Sequence, residues 1–177
     1  FLKKNNDYYV PLFKHTKRNT WVSLGGTSDF NDKDLKETAL REAKEETFDS
    51  LIIKSHVLDD DNSYTFSYKK NKTSDNKYKV YFILINNYEK LEKIYNKNKN
   101  NYKKITDDYD SKFETKEIKL FNLKNFNKKS DETTILINDD EIWRDTYNSL
   151  VYLKDYLNNN DIKKNKCTTS KNNFIIE

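Results

Sequence analysis

From Asp34 to Thr47 the chain has no glycine or proline and is rich in strong helix formers, which predicts a helix with Asp34 placed to cap its first turn. On such a helix Ala39, Leu40 and Ala43 fall on one arc, suited to packing against a sheet. Glu42, Glu45 and Glu46, at i, i+3 and i+4, fall on the adjoining arc, roughly 100° wide. One edge of a buried helix would therefore present three carboxylates together. Like charges at this spacing cost an isolated helix a few tenths of a kcal/mol per pair, roughly. Arg41 and Lys44 offset part of that, and a divalent cation would offset more, because Mg²⁺ takes oxygen ligands. A solvated charged helix with ordinary ion pairs is the other reading of the same residues.

The remaining chain supplies strands to cover that helix. Tyr8–Lys14 reads as a strand, with Pro11 indicating an edge or a bulge. A short strand Thr20–Leu24 ends at Gly25-Gly26. Ser50–Leu58 and the alternating Tyr64, Phe66, Tyr68 predict two more, and Lys69–Lys77 a polar connection. Tyr78–Ile85 is nearly continuous Val, Tyr, Phe and Ile and is expected to be central and buried. Tyr88–Tyr95 reads as a short helix, Asn96–Lys104 as an exposed loop, Lys116–Leu123 as a strand, and Glu141–Leu157 as a second amphipathic helix. The order predicts an α/β (α+β) domain with a mixed central sheet and helices on its faces. Residues 1–157 form the expected domain, its N-terminus trimmed at Phe1, and 158–177 a polar, flexible tail.

Composition narrows the class. Only 34% of residues are hydrophobic against 35% charged, but 13 Tyr, 10 Phe and 2 Trp allow a modest core. The net charge of +4 is too small to indicate nucleic-acid binding by itself, yet suits an anionic substrate. The Lys/Asn excess is what AT-rich coding produces, including that of a large virus, so isolated Lys and Asn carry little functional weight. Cys167 is the only cysteine, which excludes an internal disulfide and agrees with a cytoplasmic, reducing setting. No run is long and apolar enough to span a membrane.

The chain has only two glycines, Gly25 and Gly26, and they precede this helix. Trp21-Val22-Ser23-Leu24-Gly25-Gly26, a loop, then Arg41-Glu42-Ala43-Lys44-Glu45-Glu46 resembles the signature box of the Nudix hydrolases. Tyr8–Phe13 and Glu117–Leu123 resemble that family's flanking strands. The resemblance implies an α/β/α sandwich and hydrolysis of a pyrophosphate bond in a nucleoside diphosphate linked to another group, a small nucleotide or capped RNA. It implies that Glu42, Glu45, Glu46 and the Gly26 carbonyl hold Mg²⁺ or Mn²⁺, and that Arg41 orients the carboxylates. Glu45 or Glu46, or a carboxylate outside the box, would take the proton; Glu117 is the outside candidate, with Glu114 behind it. RNA is a partner if the activity is mRNA decapping. Trp21 and Lys14 are candidate substrate contacts. Tyr64, Phe66 and Tyr68 would either stack a base or, as alternating aromatics more often do, fill the core. His15 and His56 read as structural or exposed rather than catalytic.

Two positions depart from the pattern. The span from Gly26 to Arg41 is one residue longer than the pattern, which puts Lys33 where the family has its first Glu, with Asp32 and Asp34 beside it. Phe48 stands where the box closes with Gly, which predicts a different helix exit, one turn longer, with Phe48 and Leu51 packed inward. Both motivate an alternative: a catalytically silent Nudix-fold module serving binding or scaffolding.

Overall fold

The computed structural model describes residues 1–59, 63–69, 77–105, 114–160 and 167–177. It is a mixed α+β fold built on strand β2 (Asp7–His15), which pairs antiparallel with β7 (Thr115–Asn122) along most of its length. The other edge of β2 is shared by two short strands, β1 (Leu2–Lys4) opposite Asp7–Tyr9 and β3 (Trp21–Val22) opposite Phe13 and Lys14. Pro11 falls between them, where neither neighbour takes a register pair, so its missing N–H breaks no ladder on that side. Strand β3 runs parallel to β9 (Asp140–Trp143), which closes a hairpin with β8 (Thr134–Ile137).

Adjacent residues of β2 point to opposite faces, and both faces are covered. Val10 and Leu12 join Trp21, Phe121 and Ile142 in one core, under helix α3 (Arg144–Leu157) through Tyr147, Leu150, Val151 and Leu153. Phe13 and Ile118 join the other, with Ala43 and Phe48 from α1 (Leu35–Glu46) and its exit, and Leu91, Ile94 and Tyr95 from α2 (Tyr88–Ile105). No helix among the described residues is long and apolar enough to cross a membrane.

Several expectations change. The Tyr78–Ile85 segment is not a central strand: among the described residues β6 (Lys77–Phe82) pairs only with β5 (Tyr64–Lys69), in a two-stranded ribbon. Lys79 interrupts the apolar run and is exposed, so the period is two and only one face is covered. Tyr64 stacks on Tyr156 with ring centroids 3.8 Å apart, and Phe66 lies 5.0 Å from Tyr152. These rings therefore fill the core side of the ribbon, while the Tyr68 side chain lies outside the described residues. The connection at 70–76 lies outside them as well.

The Asn/Lys stretch expected as a loop continues α2. Tyr88, Leu91, Tyr95, Asn98 and Tyr102 keep helical spacing through it, and Asn98 is buried. The segment expected as one helix from Glu141 starts as β9, and α3 begins only at Arg144. Ser50–Leu58 shortens to β4 (Leu51–Ile53) followed by a 3₁₀ turn. Finally, the expected flexible tail contains β10 (Cys167–Thr169) and β11 (Phe174–Ile176). Strand β11 lies parallel to β4, and Phe174 and Ile176 are buried.

Candidate active site

Helix α1 forms as its sequence predicts. The Asp34 carboxylate accepts from the backbone N–H of Lys36 and Glu37 at 2.9 and 2.8 Å. Its C-terminus ends after Glu46 in a Schellman turn: Phe48 N donates to Glu45 O at 3.1 Å and Asp49 N to Lys44 O at 2.9 Å. The helix is not extended by a turn. Instead Phe48 adopts φ 55° and Asp49 φ 56°, the conformation a glycine would supply. The inward packing holds, with Phe48 1% exposed and Leu51 buried behind it.

Gly25-Gly26 meets the helix at its carboxylate edge. Gly25 N donates to Glu46 Oε2 at 2.7 Å. A Cβ on Gly26 would overlap the Glu42 carboxylate, so only glycine lets that side chain lie against the backbone. Glu46 is 5% exposed, and burial, reinforced by Glu42, Glu114 and Glu45, pushes its carboxyl up to about 8 against the pull of the Gly25 N–H. Burial pushes Glu42 up as well, opposed by Arg41. Glu45 is the exposed member of the three.

Arg41 ties the cluster together. Its Nη1 donates to Glu42 Oε1 at 2.9 Å and Glu45 Oε2 at 3.0 Å, and its Nη2 to Asp32 Oδ2 and the Thr27 carbonyl, both at 3.0 Å. These bonds join Arg41 to two of the three glutamates and to the loop before the helix. Arg41 holds the Asp32 carboxyl down at about 2. Asp32 also accepts from Asp29 N and the Thr38 hydroxyl, so it fixes the loop that Lys33 does not. Lys33 is exposed and pairs with Glu37.

Behind the helix end, the Thr115 hydroxyl donates to the Glu46 carbonyl, and the buried Tyr95 hydroxyl lies 3.1 Å from Thr115 Oγ1. A cavity of about 860 Å³ opens along this edge, lined by Glu42, Glu45 and Glu46, by β4, by Tyr102 and by Glu114. Of the two outside carboxylates, Glu114 is the one at the site. Glu117 is exposed on β7 and acts electrostatically on Tyr95 and Lys99 instead.

The proposed substrate contacts do not hold. Trp21 is 3% exposed, its Nε1 donates to Asp140 Oδ1 at 2.8 Å, and Phe121 meets its ring edge-on. No face of that indole is open to a base. Lys14 lies over Trp21, with Nζ 5.6 Å from the ring centroid, on the sheet face opposite α1. His15 is buried, and its Nδ1 accepts from Lys17 N at 3.1 Å, a structural role as expected. Sequence reasoning missed Tyr102 and Asp49, whose hydroxyl–carboxylate bond of 2.7 Å borders the cavity. Extending the α2 spacing through the Asn/Lys stretch would have found Tyr102.

Among the described residues, no group of three or more His, Cys, Asp or Glu side chains converges to hold a metal ion. The glutamates face Arg41 and Gly25 instead. No protein-family model matches the chain, and no curated protein or solved structure matches it significantly.

Proposed function

We propose that the chain is a Nudix-type pyrophosphohydrolase, cleaving a pyrophosphate bond in a nucleoside diphosphate linked to another group. The observation that carries this reading is the contact of Gly25-Gly26 with Glu46 and Glu42, two carboxylates kept out of water, with no cation-bearing side chain among the described residues paired to Glu46. Burying carboxylates beside one another is unfavourable unless the site has a use for concentrated negative charge. The two departures from the box also lose weight. Phe48 keeps the backbone of the closing glycine, and Asp32 binds Arg41 in place of an acid at Lys33.

The donor set is all oxygen, which suits Mg²⁺ or Mn²⁺. Glu42, Glu45, Glu46 and the Gly26 carbonyl would hold the ion once Glu45 turns from Arg41. When bound, such an ion neutralises diphosphate oxygens and makes hydroxide available near neutral pH. Arg41, bonded to both Glu42 and Glu45, would release Glu45 and keep Glu42 oriented. Glu46, whose Oε2 is fixed by the Gly25 N–H, would take a proton from water once a bound ion offsets the burial that raises its carboxyl. Glu114 adds negative charge from the β7 side.

The grip of Arg41 on Glu42 and Glu45 favours a second reading, a silent binding module in which the guanidinium replaces the cation. A panel of nucleoside-diphosphate compounds including capped RNA, incubated with Mg²⁺ or Mn²⁺ and read by mass spectrometry, separates the two. Hydrolysis is expected for at least one compound, with Glu45→Gln/Glu46→Gln slower by about 100-fold or more. Turnover unaffected by that double substitution would exclude this site, and no turnover across the panel would leave the silent module.

A further inference from the structure

The largest sheet ends on β8, which among the described residues pairs with β9 alone. The two-residue turn Asn138-Asp139 sets Ile137 opposite Asp140, so Ile137 and Ile135 exchange backbone hydrogen bonds with β9. The bond from Arg144 N to Thr133 O at 3.1 Å continues that alternation. The backbone N–H and C=O groups of Thr134 and Leu136 therefore point away from β9, along the edge of the sheet. Other edge strands of this sheet carry lysines, Lys3 and Lys4 on β1 and Lys116 and Lys119 on β7, a common guard against strand addition. Strand β8 has no charge and no proline. On its outer face Leu136 is 69% exposed and stands opposite Glu141, whereas Ile135 and Ile137 join the core under α3.

The charges around this edge select its occupant. Asp139 in the turn, Glu141 across from Leu136, and Asp131 and Glu132 before the strand are all exposed, and none has an ion pair among the described residues. Nearby cations are engaged elsewhere: Lys119 with Asp140, Lys129 with Tyr152, Arg144 with Asp145, and Arg18 over the Trp143 ring. A second copy of the chain fits poorly. Antiparallel pairing of outward residue with outward residue, Thr134 on Leu136, carries the acidic turn of each copy to the Asp131–Glu132 end of the other. A basic strand meets no such conflict.

We propose that the β8 edge docks an extended, basic segment of a partner protein, which adds to the sheet as a further strand. Backbone bonds to Thr134 and Leu136 supply affinity; an apolar side chain over Leu136 and basic side chains at Asp139 and Glu141 supply selectivity. Antiparallel addition places the basic residues N-terminal to the apolar ones. The site is built from β8 and β9, shares no residue with the carboxylate row of α1, and stands whether or not the proposed hydrolysis is found.

Fluorescence anisotropy with the full chain and three labelled peptides tests this. The first peptide has two lysines followed by alternating valine and threonine, the second has glutamates in place of the lysines, and the third is the first N-methylated throughout its strand. The lysine peptide is expected to bind saturably, the glutamate peptide about 10-fold more weakly or worse, and the N-methylated peptide not at all, since it cannot donate to the edge. Leu136→Lys, which installs the guard found on β1 and β7, should weaken the lysine peptide by about 10-fold or more. Leu136 is exposed, so the melting temperature of that variant should match wild type. Asp139→Asn/Glu141→Gln, which keeps a residue suited to positive φ in the turn, should bring the lysine and glutamate peptides within about 2-fold of each other. No binding of the lysine peptide, equal binding of its N-methylated form, or binding unaffected by Leu136→Lys would overturn the proposal. So would a concentration-dependent dimer in sedimentation that Leu136→Lys abolishes, because the edge would then belong to a second copy.

Discussion

Gly25 and Gly26 are required for different reasons. Gly25 has φ 150°, outside the range side chains favour, whereas Gly26 yields space to the Glu42 carboxylate. Gly26→Ala should therefore displace Glu42 and lower hydrolysis at least about 10-fold, with far-UV circular dichroism unchanged; wild-type rates in that variant would show that the close approach is irrelevant to turnover. Elsewhere the chain makes left-handed turns without glycine. Among the described residues, Asn5, Asn6, Asn19, Asn87, Asn138, Asp49 and Asp139 have positive φ, and Phe48 is the one residue there that is neither Asn nor Asp. Asparagine tolerates this region because its short amide bonds locally. Discounting Asn as coding bias thus hid part of the turn chemistry: Asn5-Asn6 and Asn138-Asp139 are the two-residue loops of the β1–β2 and β8–β9 hairpins. Glu46 allows a pH prediction. Its carboxyl titrates near 4.5 when unfolded and about 8 when folded, so the folded state holds the extra proton between those values. Without metal, stability should fall as pH rises from 5 to 8. Glu46→Gln should flatten that slope, be more stable than wild type at pH 8, and reduce the rise in melting temperature caused by Mn²⁺. Urea titrations at the two pH values check the first part; a slope as steep in the variant would contradict it.

Helix α1 was legible because its signals are local: Asp34 caps, Ala43 faces the sheet, and the glutamates share an edge. Its exit was not, because propensity alone does not put phenylalanine at positive φ. Tertiary packing decides there. The left-handed conformation costs roughly 1–2 kcal/mol, while a buried Phe ring is worth about 3–5 kcal/mol against Ala. Phe48→Ala should lose about 3 kcal/mol or more. Phe48→Gly should recover part of that by relaxing the backbone, remaining about 2 kcal/mol below wild type. Denaturant unfolding of both variants gives the comparison, and a Phe48→Gly protein as stable as wild type would contradict this balance. Helix α2 was read too short for a related reason. Asn98 looks like a loop residue, but its Nδ2 donates to Phe48 O, Ser50 Oγ and Asn172 O at 2.9–3.1 Å. Those partners lie far away in sequence, so nothing local announces the bond. The β6 ribbon was misjudged by weighing its apolar content over its period.

At the scale of the whole molecule, the mixed α/β class followed from pattern, whereas the two-sided burial of β2 and the order of strands did not. The parallel β3–β9 and β4–β11 pairings join segments that only the finished fold brings together. The same holds for the C-terminal region, where Phe174 and Ile176 occur in a polar context that reads as a tail. Full burial of such side chains is worth about 1.5–3 kcal/mol each, a large share of an ordinary stability of roughly 5–15 kcal/mol. Removing residues 161–177 should therefore lower the melting temperature by about 6 °C or more, at about 2–4 °C per kcal/mol for a domain of this size, or leave the protein unfolded. Calorimetry measures it, and a truncated protein melting like the full chain would show that β11 adds nothing.

The β4–β11 pairing also bears on how the protein is made. Leu51 leaves the ribosome more than a hundred residues before its partner Phe174. Through that interval β4 lacks its parallel neighbour and Asn98 lacks its Asn172 acceptor. The wall under the cavity thus closes only after Phe174 has emerged and a long loop has been gathered, a step that topology makes slow. A nascent chain should pass through a stage with α1 formed and this side of it bare, a natural point of engagement for a chaperone.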